Sequence, residues 1–384
     1  MTISFFSNFL NSHQLPFCSA IIKRIGEVNF RFVATQKIAP DRVAMGFVDM
    51  NEIHPFVVKE YEGEKGKEEA RRLALESDVM IIGSAPFEYA NLRLKNNKLT
   101  FIYAERLFKK GKLSLLYPPK AIKVYNLYTK NRKKNCFLLC ASAYSKGDAG
   151  FCGFPSERCF KWGYFPELET YKDFEQSVLN KKVTKRGKEV SILWTGRLID
   201  WKHPEMAILV AKQLVKSGHN FKLIIIGDGP MRSVIQNEIL KNNLTDHVSY
   251  LGAIPPQQVR CIMEQSDIFL FTSDKNEGWG AVLNESMNCG CAVVANKSIG
   301  SVPFLIKDKV NGLICRNESV SEVVEKVIFL IEHVEKRLEL SVAAHYTICN
   351  EWNADVATDN FFLLINAINK GIESPIVNGP CSKA

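Results

Sequence analysis

Apolar and polar positions change rhythm along this chain. In the first half, apolar runs at residues 2–6, 28–35, 78–82, 99–103, 121–126 and 135–142 read as strands. Polar or helical stretches separate them. One is "EGEKGKEEARRLALES", whose acid–base spacing favours a helix and after which Ser77-Asp78 begins the next strand run. From residue 190 the alternation becomes regular: "VSILWTG", a helical stretch over 203–217, "FKLIIIGDG", another over 230–240, "HVSYLG", a short helix over 256–265, "DIFLFT", a helix from Gly280, and "CAVVAN". Short apolar runs alternating with helices predict a parallel sheet covered by helices, a Rossmann-like domain. Ligands of such sheets collect at the carboxyl ends of the strands.

Between the two halves, residues 167–188 are polar and strongly charged and end in "NKKVTKRGK", which predicts a linker. Residues 350–368, "NEWNADVATDNFFLLINAI", carry an aromatic–aliphatic helical stripe. The last residues, 370–384, read as a loose terminus.

Composition adds limits. With 384 residues, 46% of them hydrophobic, the chain can bury a large core and is long enough for two domains. No run approaches the roughly 18 apolar residues of a membrane span. The start, "MTISFFSNFLNSHQLPF", reads as a buried strand leading into a turn and not as a secretory signal. Eleven cysteines without paired CxxC spacing read as buried thiols rather than a disulfide framework or a zinc site, which favours a cytoplasmic protein.

A net charge of +9 suggests anionic partners. Residues 106–134 hold ten Lys or Arg and no acid, mixed with "LSLLYPP" and "VYNLY". Two readings stay open: a segment resting on an anionic membrane surface, or a solvated face with a basic loop. No helix-turn-helix, zinc-finger or aromatic–basic sheet pattern accompanies the run, so nucleic acid is not an expected partner.

The polar singularities of the second half stand at its strand ends. In "WTGRLIDWK", Gly196 permits a sharp turn, and Arg197 and Lys202 can converge on one anion, for which a diphosphate is the natural load. Surface cations after a turn would look the same. In "IIIGDGP", Gly227 and Gly229 serve either close ligand approach or simple strand–turn–helix punctuation. In "SDKNEGWGAVLNESMNCG", a helix starting near Gly280 would turn the amides of Gly278, Trp279 and Gly280 toward a phosphate. Glu285 would then point along the crevice that Glu277 overhangs, so that two carboxylates face vicinal sugar hydroxyls; helix capping by the acids is the competing reading.

Taken together, residues 190–315 closely resemble the C-terminal donor domain of the family 4 glycosyltransferases, retaining enzymes within the glycosyl transferases group 1. The resemblance rests on "GRLIDWK", "IIGDGP", "SDKNEGWGAVLNESMNCGCAVVA" with its E-x7-E spacing from Glu277 to Glu285, and "IGSVPFLIKDKVNGLIC". It implies an α/β protein of the GT-B fold, two Rossmann-like domains facing each other across a cleft. Residues 1–166 would bind the acceptor, 167–188 link, 189–349 bind the nucleotide sugar, 350–369 form a helix crossing back to the first domain, and 370–384 trail.

By the same resemblance, Arg197 and Lys202 would bind the diphosphate and Glu277 the transferred sugar, the three making up the catalytic set. Gly196, Gly227, Gly229, Gly278, Trp279 and Gly280 would line the donor, and Glu285 would hold the ribose. The implied reaction moves a hexosyl or related unit from a nucleotide diphosphate sugar to a saccharide or lipid-linked saccharide, without metal or bound cofactor, in the cytoplasm or on the inner face of the cytoplasmic membrane. The first half resembles the family weakly. Where relatives carry a glycine-rich loop after the first strand, this chain has Asn11, Ser12, His13 and Gln14, and "FIYAERLF" offers Glu105 and Arg106 where many relatives present a histidine. These five residues, Asn11, His13, Gln14, Glu105 and Arg106, are the candidate acceptor or phosphate contacts; for His13 a structural role competes. A nucleotide-sugar epimerase or phosphorylase of the same fold, or a non-catalytic sugar-nucleotide-binding protein, is the alternative.

Overall fold

The computed structural model describes residues 1–39, 48–183, 189–316 and 319–384. The chain divides into two compact units, one of Met1–Glu167 with Asn353–Ala384, the other of Leu168–Trp352. Each is built on one parallel sheet.

In the first unit, strands β1 (Ile3–Ser7), β2 (Phe30–Ala34), β3 (Val57–Lys59), β4 (Val79–Ile82), β5 (Thr100–Ala104), β6 (Cys136–Cys140) and β7 (Cys159–Lys161) take the order β3-β2-β1-β4-β5-β6-β7. Ile3 lies beside both Phe30 and Val79, so β1 is central and every one of its residues is buried. That explains its near-continuous apolar sequence: a parallel strand covered on both faces has no solvent side on which to alternate. β3 and β7, three residues each, are too short to carry a period.

The run at 121–126, expected as a strand, is helical. Pro118 and Pro119 open a helix, Pro118–Val124, and the turn Tyr125–Thr129 continues it with π spacing. Proline suits the first helical turn, where its missing N–H costs nothing. Val124 and Tyr128, four apart, are buried while Ile122 and Tyr125 are exposed, a helical rather than a strand period.

The second unit orders β8 (Val190–Thr195), β9 (Phe221–Ile226), β10 (Val248–Gly252), β11 (Ile268–Phe271), β12 (Ala292–Asn296) and β13 (Leu313–Cys315) as β10-β9-β8-β11-β12-β13. Its core packs the helices Pro204–Lys216 and Val320–Glu332 on the sheet through Ile208, Ala211, Leu214, Val323 and Val327. The chain reverses direction across the sheet between β8 and β11. In such sheets the crevice beyond the strand ends lies at this reversal.

Two expected loose segments are built into the fold. Of the proposed linker, residues 184–188 lie outside the described residues, but Phe174, Val178 and Leu179 are buried in a small cluster with Tyr171, Leu338 and Val342. Residues 171, 174 and 178 are helically spaced, a stripe that the surrounding charges hide. The C-terminal residues, expected to trail, pair with β7: Lys161 N–H donates to the Ser382 carbonyl (2.8 Å), Cys381 N–H to Lys161 (2.7 Å) and Ala384 N–H to Cys159 (3.1 Å). Cys381 and Ser382 are buried. β7 is the sheet edge, and its unpaired backbone groups are satisfied by the tail.

The helix Ala354–Lys370 belongs to the first unit, where the Phe361 ring packs on Phe101, Trp162 and Phe17 and Arg24 bonds Asp359 at 2.6 Å. All eleven cysteines are free, and only Cys261 is exposed. Among the described residues no helix is long and apolar enough to cross a membrane.

Candidate active site

The carboxyl ends of β8 and β11 meet at the reversal point of the second unit. After β8 the chain turns at Gly196, runs through Arg197 and Leu198, and forms a short helical turn, Asp200–Lys202, before the helix Pro204–Lys216. Beyond β11 come Thr272, Ser273 and the loop to Glu277. The Thr272 hydroxyl donates to the Lys202 carbonyl (2.7 Å) and accepts from the Trp194 indole (2.8 Å), tying the two loops together.

Lys202 and Glu277 form an ion pair, Nζ to Oε2 at 2.6 Å, with side chains only 13% and 11% exposed. The Ser273 hydroxyl donates to the same carboxylate oxygen at 3.1 Å. One of the two expected diphosphate cations is therefore already held by the carboxylate expected to meet the sugar. Arg197 stands exposed on the same loop and makes no ion pair among the described residues.

Sequence reasoning missed His203. Its φ of +49° lies in the left-handed region, unusual for any residue but glycine, and its ring bonds Glu205 (2.8 Å) with Asp274 3.8 Å away. The Glu205 hydrogen bond raises its pKa, against the opposing effect of burial. No periodicity or motif marks it beyond its place after Lys202.

The glycines have a reason other than a ligand. At Gly227, φ is +134° and a Cβ would stand 1.8 Å from the Gly196 carbonyl oxygen; at Gly229, φ is +154° and a Cβ would stand 2.5 Å from the Leu198 oxygen. The two strand-end loops press backbone on backbone, and only glycine fits between them. Gly280, at φ +80°, is likewise required, since a Cβ there would meet the Phe271 ring at 2.2 Å.

The helix expected from Gly280 begins two residues later and is short, Val282–Asn288. Residues 278–280 form the turn before it, so their amides are not its first turn. The Trp279 side chain is core: it is buried, its indole donates to Asn284 (2.9 Å), and it packs against Trp352 and Phe304. Any contact from Trp279 must come from its backbone.

Glu285 sits in that helix beside Arg260, Oε1 to Nη2 at 3.9 Å, and Arg260 also approaches Glu169 at 3.6 Å. Burial raises the Glu285 pKa, with Arg260 opposing. Glu277 and Glu285 thus have different partners: the first is locked to Lys202 and Ser273, the second stands loosely by an arginine.

In the first unit, the five candidate acceptor contacts separate into three groups. Asn11 and Gln14 are structural: the Asn11 side chain accepts from the amides of His13 (3.0 Å) and Gln14 (3.1 Å), holding the turn into the helix Leu15–Ile25, and Gln14 is buried against Ser7. His13 and Glu105 are brought together by Tyr164, a residue no sequence signal singled out. The Tyr164 hydroxyl donates to Glu105 (2.8 Å), its ring meets His13 edge-on at 6.2 Å, and Lys109 pairs with the other Glu105 oxygen at 2.8 Å. Arg106 turns away and stacks over Tyr144 at 4.4 Å. Among the described residues, no group of three or more His, Cys, Asp or Glu could hold a metal ion.

Residues 175–345, under half of the chain, match the family model "Glycosyl transferases group 1". The uncharacterized glycosyltransferase MJ1178 of Methanocaldococcus jannaschii is 32% identical over 148 residues, 38% of this chain and 40% of its own length. The GPI3 subunit of the phosphatidylinositol N-acetylglucosaminyltransferase of Saccharomyces cerevisiae is 27% identical over 157 residues, 41% of this chain and 34% of its own. The chain thus aligns with well under half the length of these curated relatives. Anabaena HepE, solved in complex with UDP, superposes with a TM-score of 0.71 at 16% identity, covering 96% of this chain and 100% of that one. The fold is GT-B.

Proposed function

We propose that the chain is a retaining glycosyltransferase of family 4, which moves a hexosyl or related sugar from a nucleotide diphosphate sugar to a saccharide or lipid-linked saccharide during polysaccharide or lipid-linked glycan assembly. The observation that carries this reading is the Lys202–Glu277 pair at the β8–β11 reversal, with Arg197 exposed on the same loop. A diphosphate entering there meets two cations. As the bond from sugar to phosphate breaks, negative charge builds on the leaving oxygen, and fixed cations placed beforehand stabilise it without reorganising. Lys202 also fixes the direction of the Glu277 carboxylate, which lies against the sugar where positive charge develops. Glu285 accepts hydrogen bonds from the ribose hydroxyls, and the backbone of residues 278–280 borders the sugar.

The acceptor lies on the first unit, near His13, Glu105 and Tyr164. The protein works in the cytoplasm, at the inner face of the cytoplasmic membrane when the acceptor is lipid-linked. The UDP bound by HepE makes a uridine diphosphate sugar the first donor to try.

The test is a product-resolved mass-spectrometric screen of nucleotide sugars against free and lipid-linked acceptors. The expected result is one sugar added to an acceptor for each nucleoside diphosphate released. An epimerised donor formed without acceptor, or nucleotide binding without turnover in every pool, would replace the reading with an epimerase or a non-catalytic binding protein.

A further inference from the structure

The segment from Gly111 to Thr129 in the first unit has two apolar faces. One is anchored: Val124 and Tyr128 are buried in the core with Phe154, and Leu115 and Leu127 pack against the same cluster. The other is open. Leu113 and Leu116 are each 80% exposed, Tyr117 65%, Ile122 62% and Tyr125 55%. Leu113 and Leu116 stand three apart on one short helical turn, Lys112–Leu116, and Ile122 and Tyr125 stand three apart across the junction of the helix Pro118–Val124 with the turn that continues it, so each pair shares a side. Five large apolar side chains this exposed within 13 residues form a concentration that scattered surface hydrophobics do not.

Charge identifies what could cover them. Lys110, Lys112, Lys123 and Lys130 are exposed around the same segment and make no ion pair among the described residues, and no acid occurs over residues 106–134. The nearest acids are taken: Glu105 pairs with Lys109, and Asp148 accepts the amides of Leu107 (2.8 Å) and Phe108 (3.0 Å). A second copy in a two-fold interface would bring this positive charge against itself, and protein interfaces are depleted in lysine. Nucleic acid would leave Leu113, Leu116 and Ile122 in water. An anionic bilayer satisfies both halves, taking the apolar side chains into the headgroup boundary while the ammonium groups stay at the phosphates.

We propose that residues 112–125 form a membrane-docking face, inserting Leu113, Leu116, Tyr117, Ile122 and Tyr125 into an anionic lipid surface ringed by Lys110, Lys112, Lys123 and Lys130. This deepens the reading of a lipid-linked acceptor, but its test measures binding and not transfer, so either can fail without the other.

Full-length protein is cosedimented with vesicles of phosphatidylcholine alone and of phosphatidylcholine with phosphatidylglycerol, at low and high salt. Three forms are compared: wild type, L113S/L116S/I122S, and K110Q/K112Q/K123Q/K130Q. Wild type binds the anionic vesicles and releases in high salt, because exposed charges are screened beyond about 8 Å at physiological ionic strength. Each variant loses at least about tenfold in affinity while its thermal melt and UDP titration match wild type. Loss in the serine variant, whose charge is intact, separates insertion from loose electrostatic attraction. Equal wild-type binding to neutral and anionic vesicles, or unchanged binding of either variant, overturns the proposal. So does a serine variant that binds vesicles normally but loses self-association in sedimentation velocity, which would assign the face to a second copy.

Discussion

Lys202 and Glu277 lie 75 residues apart in sequence, yet their side chains meet at 2.6 Å beyond the ends of two adjacent strands. The pair joins the two groups that the proposed reaction needs at one bond, the cation for the departing diphosphate and the carboxylate for the sugar. The two acids of the E-x7-E motif have different surroundings, because Glu285 stands beside Arg260 instead, at 3.9 Å.

In the proposed reaction Glu277 acts where charge develops, so E277Q is expected to lower kcat more than it weakens nucleotide binding. Loss of one such contact is worth about 2.7–4 kcal/mol, or roughly 10² to 10³ in rate. Steady-state transfer at saturating donor, beside a titration with UDP, reads the two effects separately. Equal losses in both would move Glu277 from the reacting centre to the nucleotide.

E285Q, by contrast, is expected to weaken nucleotide binding and change kcat little, since the proposed ribose contacts are the same before and during transfer. The pH dependence carries the same signature. Burial raises the Glu285 pKa above its ordinary 4.5, so the carboxylate takes up a proton earlier than usual as pH falls. Wild-type affinity for the nucleoside diphosphate therefore declines on the acid side of neutrality more steeply than that of E285Q, whose amide does not titrate. The variant also corrects for the phosphates' own titration. For stability the sign is the reverse: the raised pKa favours the folded state at acid pH, and that contribution is lost as pH rises through it.

Gly227 tests the loop contact without touching the chemistry. In G227A the new Cβ, at φ +134° and 1.8 Å from the Gly196 oxygen, must displace the loop bearing Arg197, costing more than about 2 kcal/mol and several degrees in Tm. G147A, in the helix Ser145–Phe151 with open space around the Cβ, should instead gain about 0.5–1 kcal/mol. Thermal melts of both decide whether the glycine is there for packing; a G227A protein that melts normally but binds no nucleotide would return it to the ligand.

In the proposed reaction Arg197 and Lys202 supply the positive charge at the diphosphate, so transfer is expected to survive chelation with less than about a tenfold loss. Activity abolished by EDTA and restored by Mn²⁺ or Mg²⁺ would require a metal at the phosphates. In R197Q, where one cation is gone, the loss should appear in kcat and nucleotide affinity together.

Much of this was legible in the sequence because it is local. Within the second unit the strands β11, "DIFLFT", and β12, "CAVVAN", are apolar runs buried at every position, and a covered parallel strand writes its burial directly into four or five successive residues. The positions of Arg197, Lys202 and Glu277 on loops after strands followed, since the polar residues that end those runs stand at strand ends, and Glu285 followed from the helix after that loop. Three-residue strands such as β3 and β7 left no period, and the prolines before residue 121 were outweighed by an apolar run that turned out helical.

What the tertiary structure alone decided is which loops meet. Hydrophobic period records the face a residue buries, not the partner across it. The contact of Gly227 with Gly196, the joining of Glu105 to His13 through Tyr164, and the docking of Cys381 and Ser382 on β7 bring together residues tens to hundreds apart. Each depends on the order of the strands, which sets the loops that share one end of a sheet and the strand left at its edge, and that order is settled only when the whole sheet forms.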